Sequence, residues 1–396
     1  MLFIYAWEQR RLGEVANIFD GTHQTPQYVS SGIKFVSVEN IATLESKKFI
    51  SEEAYNKEYA NKQAEKGDVL MTRIGDIGTS KIIEADEALA YYVTLALLKP
   101  KEIVSDFLAH VISSPKVQDD IWKRTLHVAF PKKINLGEIN QVDVVMPSSA
   151  EEQSHIGTFF RTLDNTIAIH KRKLDGLREL KKAYLQVMFP QAGEVVPRVR
   201  FEGFTEPWVQ VALEEIAERV TRKNTKLEST LPLTISAQHG LIDQTEFFNK
   251  QVASRDVSGY FLVKKGEFAY NKSYSNGYPW GAVKRLDKYE MGVLSTLYIV
   301  FKPIDVDSEF MVQYYETDNW HTEIIKYAAE GARNHGLLNI TPTDFFKTVL
   351  AIPSTREEQK AIGSFFEVLD KQITVQHEKV GQLGRLKSAY LQKMFV

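Results

Sequence analysis

The side chains best placed to do chemistry in this sequence are recognition groups set in polar loops. In the first half they are Thr22, His23, Gln24 and Thr25, then Arg73, then Lys132 and Lys133 at the end of His127-Val128-Ala129-Phe130-Pro131-Lys132-Lys133. In the second half they are Lys272, Ser273, Tyr274 and Asn276, then Lys284 and Arg285, then Arg333, Asn334 and His335. Lys and Arg meet phosphates, while Arg, Asn, Gln and His can donate to base edges in a groove. Polar loops of this kind are also ordinary surface turns, and the two readings stand side by side for any single residue. Tyr278 and Trp280 are candidates for core.

Catalytic patterns are missing. There is no G-x-x-x-x-G-K-[ST] loop, no H-E-x-x-H helix and no G-x-S-x-G elbow. The stretch Gly75-Asp76-Ile77-Gly78-Thr79-Ser80-Lys81 lacks the Gly-Lys-Ser/Thr order of a phosphate loop and reads as a turn between strands. The pair Asp119-Asp120 falls on a solvated helix face. With no Cys in the chain, disulfides, thiolate zinc sites and a Cys nucleophile are excluded, and a reducing, cytoplasmic setting is expected. No metal site is expected.

The elements that hold these loops come from a chain of 396 residues, long enough for two cores, with 43% hydrophobic and 25% charged residues. The net charge of −2 means that an anionic partner has to be met by local basic patches or through another subunit. No apolar run approaches a membrane span, and the short apolar start at residues 1–6 lacks the basic region of a signal peptide.

A repeat organises everything else. Pro147-Ser148-Ser149-Ala150-Glu151-Glu152-Gln153 matches Pro353-Ser354-Thr355-Arg356-Glu357-Glu358-Gln359, and the match runs without a gap to Met188-Phe189 and Met394-Phe395, with 22 of 43 positions identical. The segments before these stretches agree only in outline: Trp7-x-Gln9-x-x-Leu12-x-Glu14 with Trp208-x-Gln210-x-x-Leu213-x-Glu215, and Lys66-Gly67-Asp68 with Lys265-Gly266-Glu267. Two copies of one unit are expected, alike in their helices and unlike in their loops.

Ser149-x-x-Glu152 and Thr355-x-x-Glu358 read as capping boxes. Beyond them, Ile156, Phe160, Leu163, Ile167, His170, Leu174, Leu177, Lys181, Tyr184 and Met188 step by fours and threes, as a coiled-coil seam does. The second seam is Ile362, Phe366, Leu369, Ile373, Gln376, Val380, Leu383, Lys387, Tyr390 and Met394, with polar interruptions at the same two places. His170 reads as a register device, since no second metal ligand stands one turn away. Each helix would span roughly 58 Å. An antiparallel pair within the chain, with a pseudo-twofold internal repeat, is favoured over helices packed on their own domains or a homodimeric coil.

Pro190 stops the first helix and 191–207 has linker composition. Strands are expected at 33–38, 68–74, 91–98 and 142–146, and at 232–236, 267–270, 294–301 and 348–352, with helices near 105–122 and 308–329. The fold is therefore α+β, two globular α/β domains separated by two long helices. The expected boundaries are 1–146, 147–190, the linker 191–207, 208–352 and 353–396.

Two variable domains, each followed by P-S-x-x-E-E-Q-x-x-I-G-x-F-F-x-x-L-D, resemble the specificity subunit of type I restriction-modification systems. Asp20-Gly21-Thr22-His23-x-Thr25-Pro26-x-Tyr28, Gly67-Asp68-Val69-Leu70-x-Thr72-Arg73-x-Gly75-Asp76-Ile77-Gly78 and Tyr270-Asn271-Lys272-Ser273-Tyr274 resemble that family's target-recognition domains. The resemblance covers essentially the whole chain; the departure is the N-terminus, which lacks the charged lead-in seen before Trp208. It implies that each domain reads one half of a bipartite, asymmetric site on double-stranded DNA. The helices would set the spacer and dock two modification subunits. S-adenosylmethionine, ATP and Mg would belong to the methyltransferase and restriction/translocase partners, and this chain would bind no cofactor and be non-catalytic. The rival readings are a duplicated coiled-coil scaffold that never touches DNA, and a self-contained nuclease or methyltransferase.

Overall fold

A computed structural model describes residues 7–191, 194–236, 240–250, 252–273, 277–328 and 338–395. The signal-peptide reading of residues 1–6 and the candidate residues Tyr274, Asn276, Arg333, Asn334 and His335 lie outside them.

The chain forms two compact units, and neither is a continuous stretch. One contains residues up to 172 together with 376–396; the other is 173–375. The cut falls inside both long helices, Ala150–Val187 and Arg356–Met394. Each unit therefore owns one globular domain, the start of that domain's own helix and the end of the helix from the other copy. The domain boundaries expected from sequence treat the helices as separate segments, whereas packing divides each helix between the two units.

In the first unit, a four-stranded antiparallel sheet runs Ala16–Asp20, Leu95–Pro100, Val69–Thr72, Ser80–Ile82. Val69, Leu70, Met71, Ala96, Leu97 and Leu98 are buried, so this sheet is covered on both faces. A second sheet orders Phe49–Ile50, Ile33–Val36 and Leu89–Tyr91, the last two parallel. Trp7–Arg11 pairs antiparallel with Asp143–Pro147, which ties the first strand to the one that leads into the long helix.

The second unit repeats this frame. Its four-stranded sheet runs Ala217–Arg219, Ile299–Pro303, Phe268–Asn271, Ala282–Arg285, in the equivalent order, and Val209–Ala212 pairs with Val349–Ile352. The additions differ: two antiparallel strand pairs, Leu233–Ser236 with Gly240–Asp243 and Phe261–Lys264 with Met291–Leu294, stand in place of the three-stranded sheet.

Several expected elements are divided. The strand expected at 91–98 is two, Leu89–Tyr91 and Leu95–Pro100, and that at 294–301 is likewise Met291–Leu294 and Ile299–Pro303. Each apolar run crosses a turn between two sheets, so its continuity reports burial and not one extended segment. The helix at 105–122 breaks into Ser105–Ile112 and Pro115–Arg124, because Pro115 has no N–H to continue a helix but suits a first turn. The helix at 308–329 is Ser308–Tyr314 and His321–Tyr327. The linker is not free: Val199 N donates to Val187 O (2.9 Å) and Phe201 stacks edge-on with Phe365 (5.9 Å).

The repeated motif residues have structural jobs that recur in each unit. Ser149 Oγ and Thr355 Oγ1 accept from the backbone N of Glu152 and Glu358, as capping predicts (3.4 Å each). The glutamates, however, turn to the tryptophans: Trp7 Nε1 donates to Glu152 (3.2 Å) and Trp208 Nε1 to Glu358 (3.3 Å), whose carboxylate also receives Arg200 (2.6 Å). Gln153 donates to Pro147 O and accepts from Val104 N; Gln359 donates to Pro353 O and accepts from Asp307 N. The glycines after them sit where a neighbouring helix presses close. A Cβ on Gly157 would stand 2.8 Å from Phe107 N, and one on Gly363 2.8 Å from Phe310 N.

The long helices pair antiparallel within each unit. In the first, Phe159 meets Tyr390 (5.0 Å), Lys387 Nζ reaches Asp164 (2.5 Å) and His170 Nδ1 lies 2.8 Å from Gln376 Oε1. In the second, Lys181 Nζ donates to both Asp370 oxygens (2.7 and 2.8 Å) and Tyr184 meets Phe365 (5.0 Å). The polar interruptions of the seam thus satisfy one another, His170 with Gln376 and each Lys with the Asp of Leu-Asp. Ile156, Phe160, Leu163, Leu174, Ile362, Phe366 and Leu369 are buried, and Ile167, Leu177, Ile373, Val380 and Leu383 half-buried. The closing Phe of each helix enters the core of the other copy: Phe395 packs on Trp7, Phe107 and Phe160, and Phe189 on Trp208, Phe310 and Phe366.

Candidate nucleic-acid interface

In the first unit the candidate loops converge on one side chain. Arg73 follows the strand Val69–Thr72, and its side chain is only 7% exposed. Its Nη1 donates to Asp20 Oδ1 (2.5 Å) and Val93 O (3.3 Å), and its Nε to Ile134 O (3.2 Å). The backbone adds Ile134 N to Arg73 O (3.0 Å), Gly75 N to Lys132 O (2.9 Å) and Leu126 N to Lys133 O (2.8 Å). Arg73 therefore fastens the 20–28, 73–79 and 126–133 loops together. Its donors are directed inward.

What these loops turn outward is different. His23, Gln24 and Thr25 are exposed, and His23 Nε2 lies 2.6 Å from the Asp20 oxygen that Arg73 leaves open. Thr22 is buried, with its backbone bridged to Tyr91 and Val93. Lys132 and Lys133 are exposed, and the Lys132 ammonium sits over the Trp122 ring (4.6 Å). Among the described residues, neither lysine is paired with a carboxylate.

The second unit places a lysine where the first has its arginine. Lys272 follows the equivalent strand, Phe268–Asn271, and donates through Nζ to Ile340 O (3.2 Å), while Leu338 N donates to Lys272 O (2.9 Å). Burial pushes the Lys272 ammonium below its ordinary range. Ser273, half-buried, donates its backbone N to Asn271 Oδ1 (3.0 Å). Lys284 and Arg285 are held by acidic groups: Lys284 by Glu316, Arg285 by Asp287 (2.6 Å), Glu309 (2.7 Å) and Ser308 Oγ (2.8 Å). Burial acts against the Arg285 charge, but the two carboxylates outweigh it and its pKa is raised. The structure therefore joins Arg73 to its neighbouring loops, turns Lys132 and Lys133 to solvent, and holds the half-buried Lys284 and Arg285 in ion pairs.

Sequence reasoning left out Asp20 as the partner of Arg73, and Trp122 beneath Lys132. Neither has a local pattern that announces it: Asp20 is 53 positions from Arg73. Pairing across strands of one sheet is the only signal, and it requires the strand order. Groups of His, Cys, Asp or Glu suited to a metal are absent among the described residues, and no described helix is long and apolar enough to cross a membrane.

Residues 5–179 match the family model described as the type I restriction modification DNA specificity domain. The fold is similar to the S subunit of a type I restriction-modification system from M. genitalium, with a TM-score of 0.66 at 13% identity, covering 100% of this chain and 98% of that one. It is also similar to a chain from a structure of the complex assembly and conformational transition of the type I R-M system, with a TM-score of 0.52 at 14% identity, covering 98% and 97%.

Proposed function

We propose that the chain is a DNA specificity subunit of a type I restriction-modification system, as the family match over residues 5–179 supports, and that its parts divide the work as follows. Each globular domain reads one half of a bipartite, asymmetric site on double-stranded DNA. The paired helices fix the unspecified spacer and offer docking surfaces to two modification subunits. Those subunits carry S-adenosylmethionine and methylate adenine. Restriction subunits add ATP- and Mg-dependent translocation and cleavage. The chain itself selects the sequence without catalysing the reaction, and it works in the cytoplasm.

The observation that supports this division is the contrast between frame and loops. Both units build the same four-stranded sheet, the same Trp–Glu anchor and the same helix pairing, then attach unlike loops and unlike small sheets. A scaffold that used only its helices would have no use for two different loop sets on one frame. The exposed set in the first unit (His23, Gln24, Thr25, Lys132 and Lys133) mixes base-edge donors with phosphate cations. In the second unit the described loop candidates Lys272 and Ser273 are half-buried.

The test is the methylome of the host with and without this gene. Loss of one split, asymmetric methylated motif on deletion is expected. An unchanged methylome in a strain that expresses the protein would overturn the reading.

A further inference from the structure

The loop between Leu126 and Lys133 carries the two most exposed apolar side chains among the described residues: Phe130 at 104% and Val128 at 98% relative exposure. Apolar groups left wholly in water forgo the stabilisation that burial gives, and among the described residues nothing covers these two. The loop is nevertheless held firmly at its base. Leu126 pairs with Lys133, Ile74 pairs with Lys133 from the other side, and Gly75 N donates to Lys132 O. On one flank His127 packs against Trp122 (4.3 Å) and its Nε2 donates to Trp122 O (2.9 Å). On the other, Lys132 lies over the same indole. The result is a braced tip with an aromatic ring at its end and, behind it, Lys132 and Lys133, which no carboxylate among the described residues pairs.

We propose that Phe130, with Val128 beside it, is a wedge that enters the base stack of duplex DNA while Lys132 and Lys133 take the flanking phosphates. The inference rests on the DNA-reading role proposed above and adds to it a deformation step. An apolar ring pushed between base pairs unstacks them, and flexible pyrimidine–purine steps yield at least cost. The first unit would then select sequence at one step without a hydrogen bond to it. Charge favours DNA over a protein partner for this tip. The cations at the ring's root suit an anionic backbone, and Arg124, the nearby cation that would compete, is already occupied by Asp120 (3.0 Å) and Glu138 (3.5 Å).

The test uses the assembled complex on duplexes carrying the methylated motif, with 2-aminopurine placed in turn at each step of the half-site. With the wild-type chain and with Phe130→Trp, one position should brighten as its stack opens. With Phe130→Ala that position should stay quenched, and affinity should fall about tenfold with an unchanged salt slope, because no phosphate contact is lost. Equal brightening and equal affinity for Phe130→Ala overturn the wedge while the DNA-reading role stands. Failure of Phe130→Ala to assemble with the modification subunits also overturns it, and assigns the ring to a protein contact. If the wild-type complex shows no salt-dependent preference for the motif, the DNA-reading role itself falls and the wedge with it.

Discussion

Arg73 shows how far a residue's type can mislead about its job. A lone arginine in a polar loop suggests a phosphate or a guanine, yet its donors are spent on Asp20, Val93 and Ile134. Arg73→Ala should therefore cost stability first, about 3 kcal/mol, since it removes one member of a mostly buried pair and leaves Asp20 without its cation. A urea midpoint that does not move would refute this. Lys132→Ala should do the reverse: unchanged midpoint, weaker DNA binding by the complex, and a salt slope smaller by about one. Lys272 occupies the place of Arg73 with its charge disfavoured by burial. The unfolded chain then holds the proton more tightly, so this group's contribution to stability rises as pH climbs toward the ordinary 10.5. Lys272→Met should flatten that rise, as measured by unfolding at two pH values; a slope that persists would assign it to other groups. At this scale residue type singles out candidate positions, but the direction of each side chain depends on partners from distant strands, as Asp20 does for Arg73.

The elements were more legible, because their signals are local. The caps, the seam and the matched polar interruptions of both long helices are all found where the heptad steps put them. What could not be read was why particular motif residues repeat. Glu152 and Glu358 satisfy a tryptophan indole from the first strand, and Gly157 and Gly363 leave room for the backbone of a second helix. Gly157→Ala should destabilise by roughly 1–3 kcal/mol, because a Cβ there would meet backbone atoms of the 105–112 helix that have little freedom to shift. Gly176→Ala, in the same helix but with open space around the new Cβ, should instead stabilise by up to about 1 kcal/mol. Thermal unfolding of the two variants separates the effects; equal shifts of the same sign would refute the close-approach reading.

At the scale of the whole molecule the duplication is reciprocal, and this sharpens how the helices can be tested as a ruler. Each helix begins on its own domain and ends in the core of the other copy's unit, where Phe395 or Phe189 is buried against a tryptophan. Within each unit the antiparallel register is pinned by one ion pair, Lys387 with Asp164 or Lys181 with Asp370. Seven residues inserted into one helix alone would therefore have to break a pinned register or withdraw a buried phenylalanine, so a single insertion should mainly destabilise. Insertions of one heptad after His170 and one after Gln376, where the two helices meet in a His–Gln contact, keep both registers and both phenylalanines in place. Each helix then lengthens by about 10 Å, close to three base pairs of duplex. The expected methylated motif has its two half-sites unchanged and a spacer longer by about three positions. A spacer of the original length in a folded, active double insertion would show that the helices do not set it, and altered half-sites would show that they do more than set it.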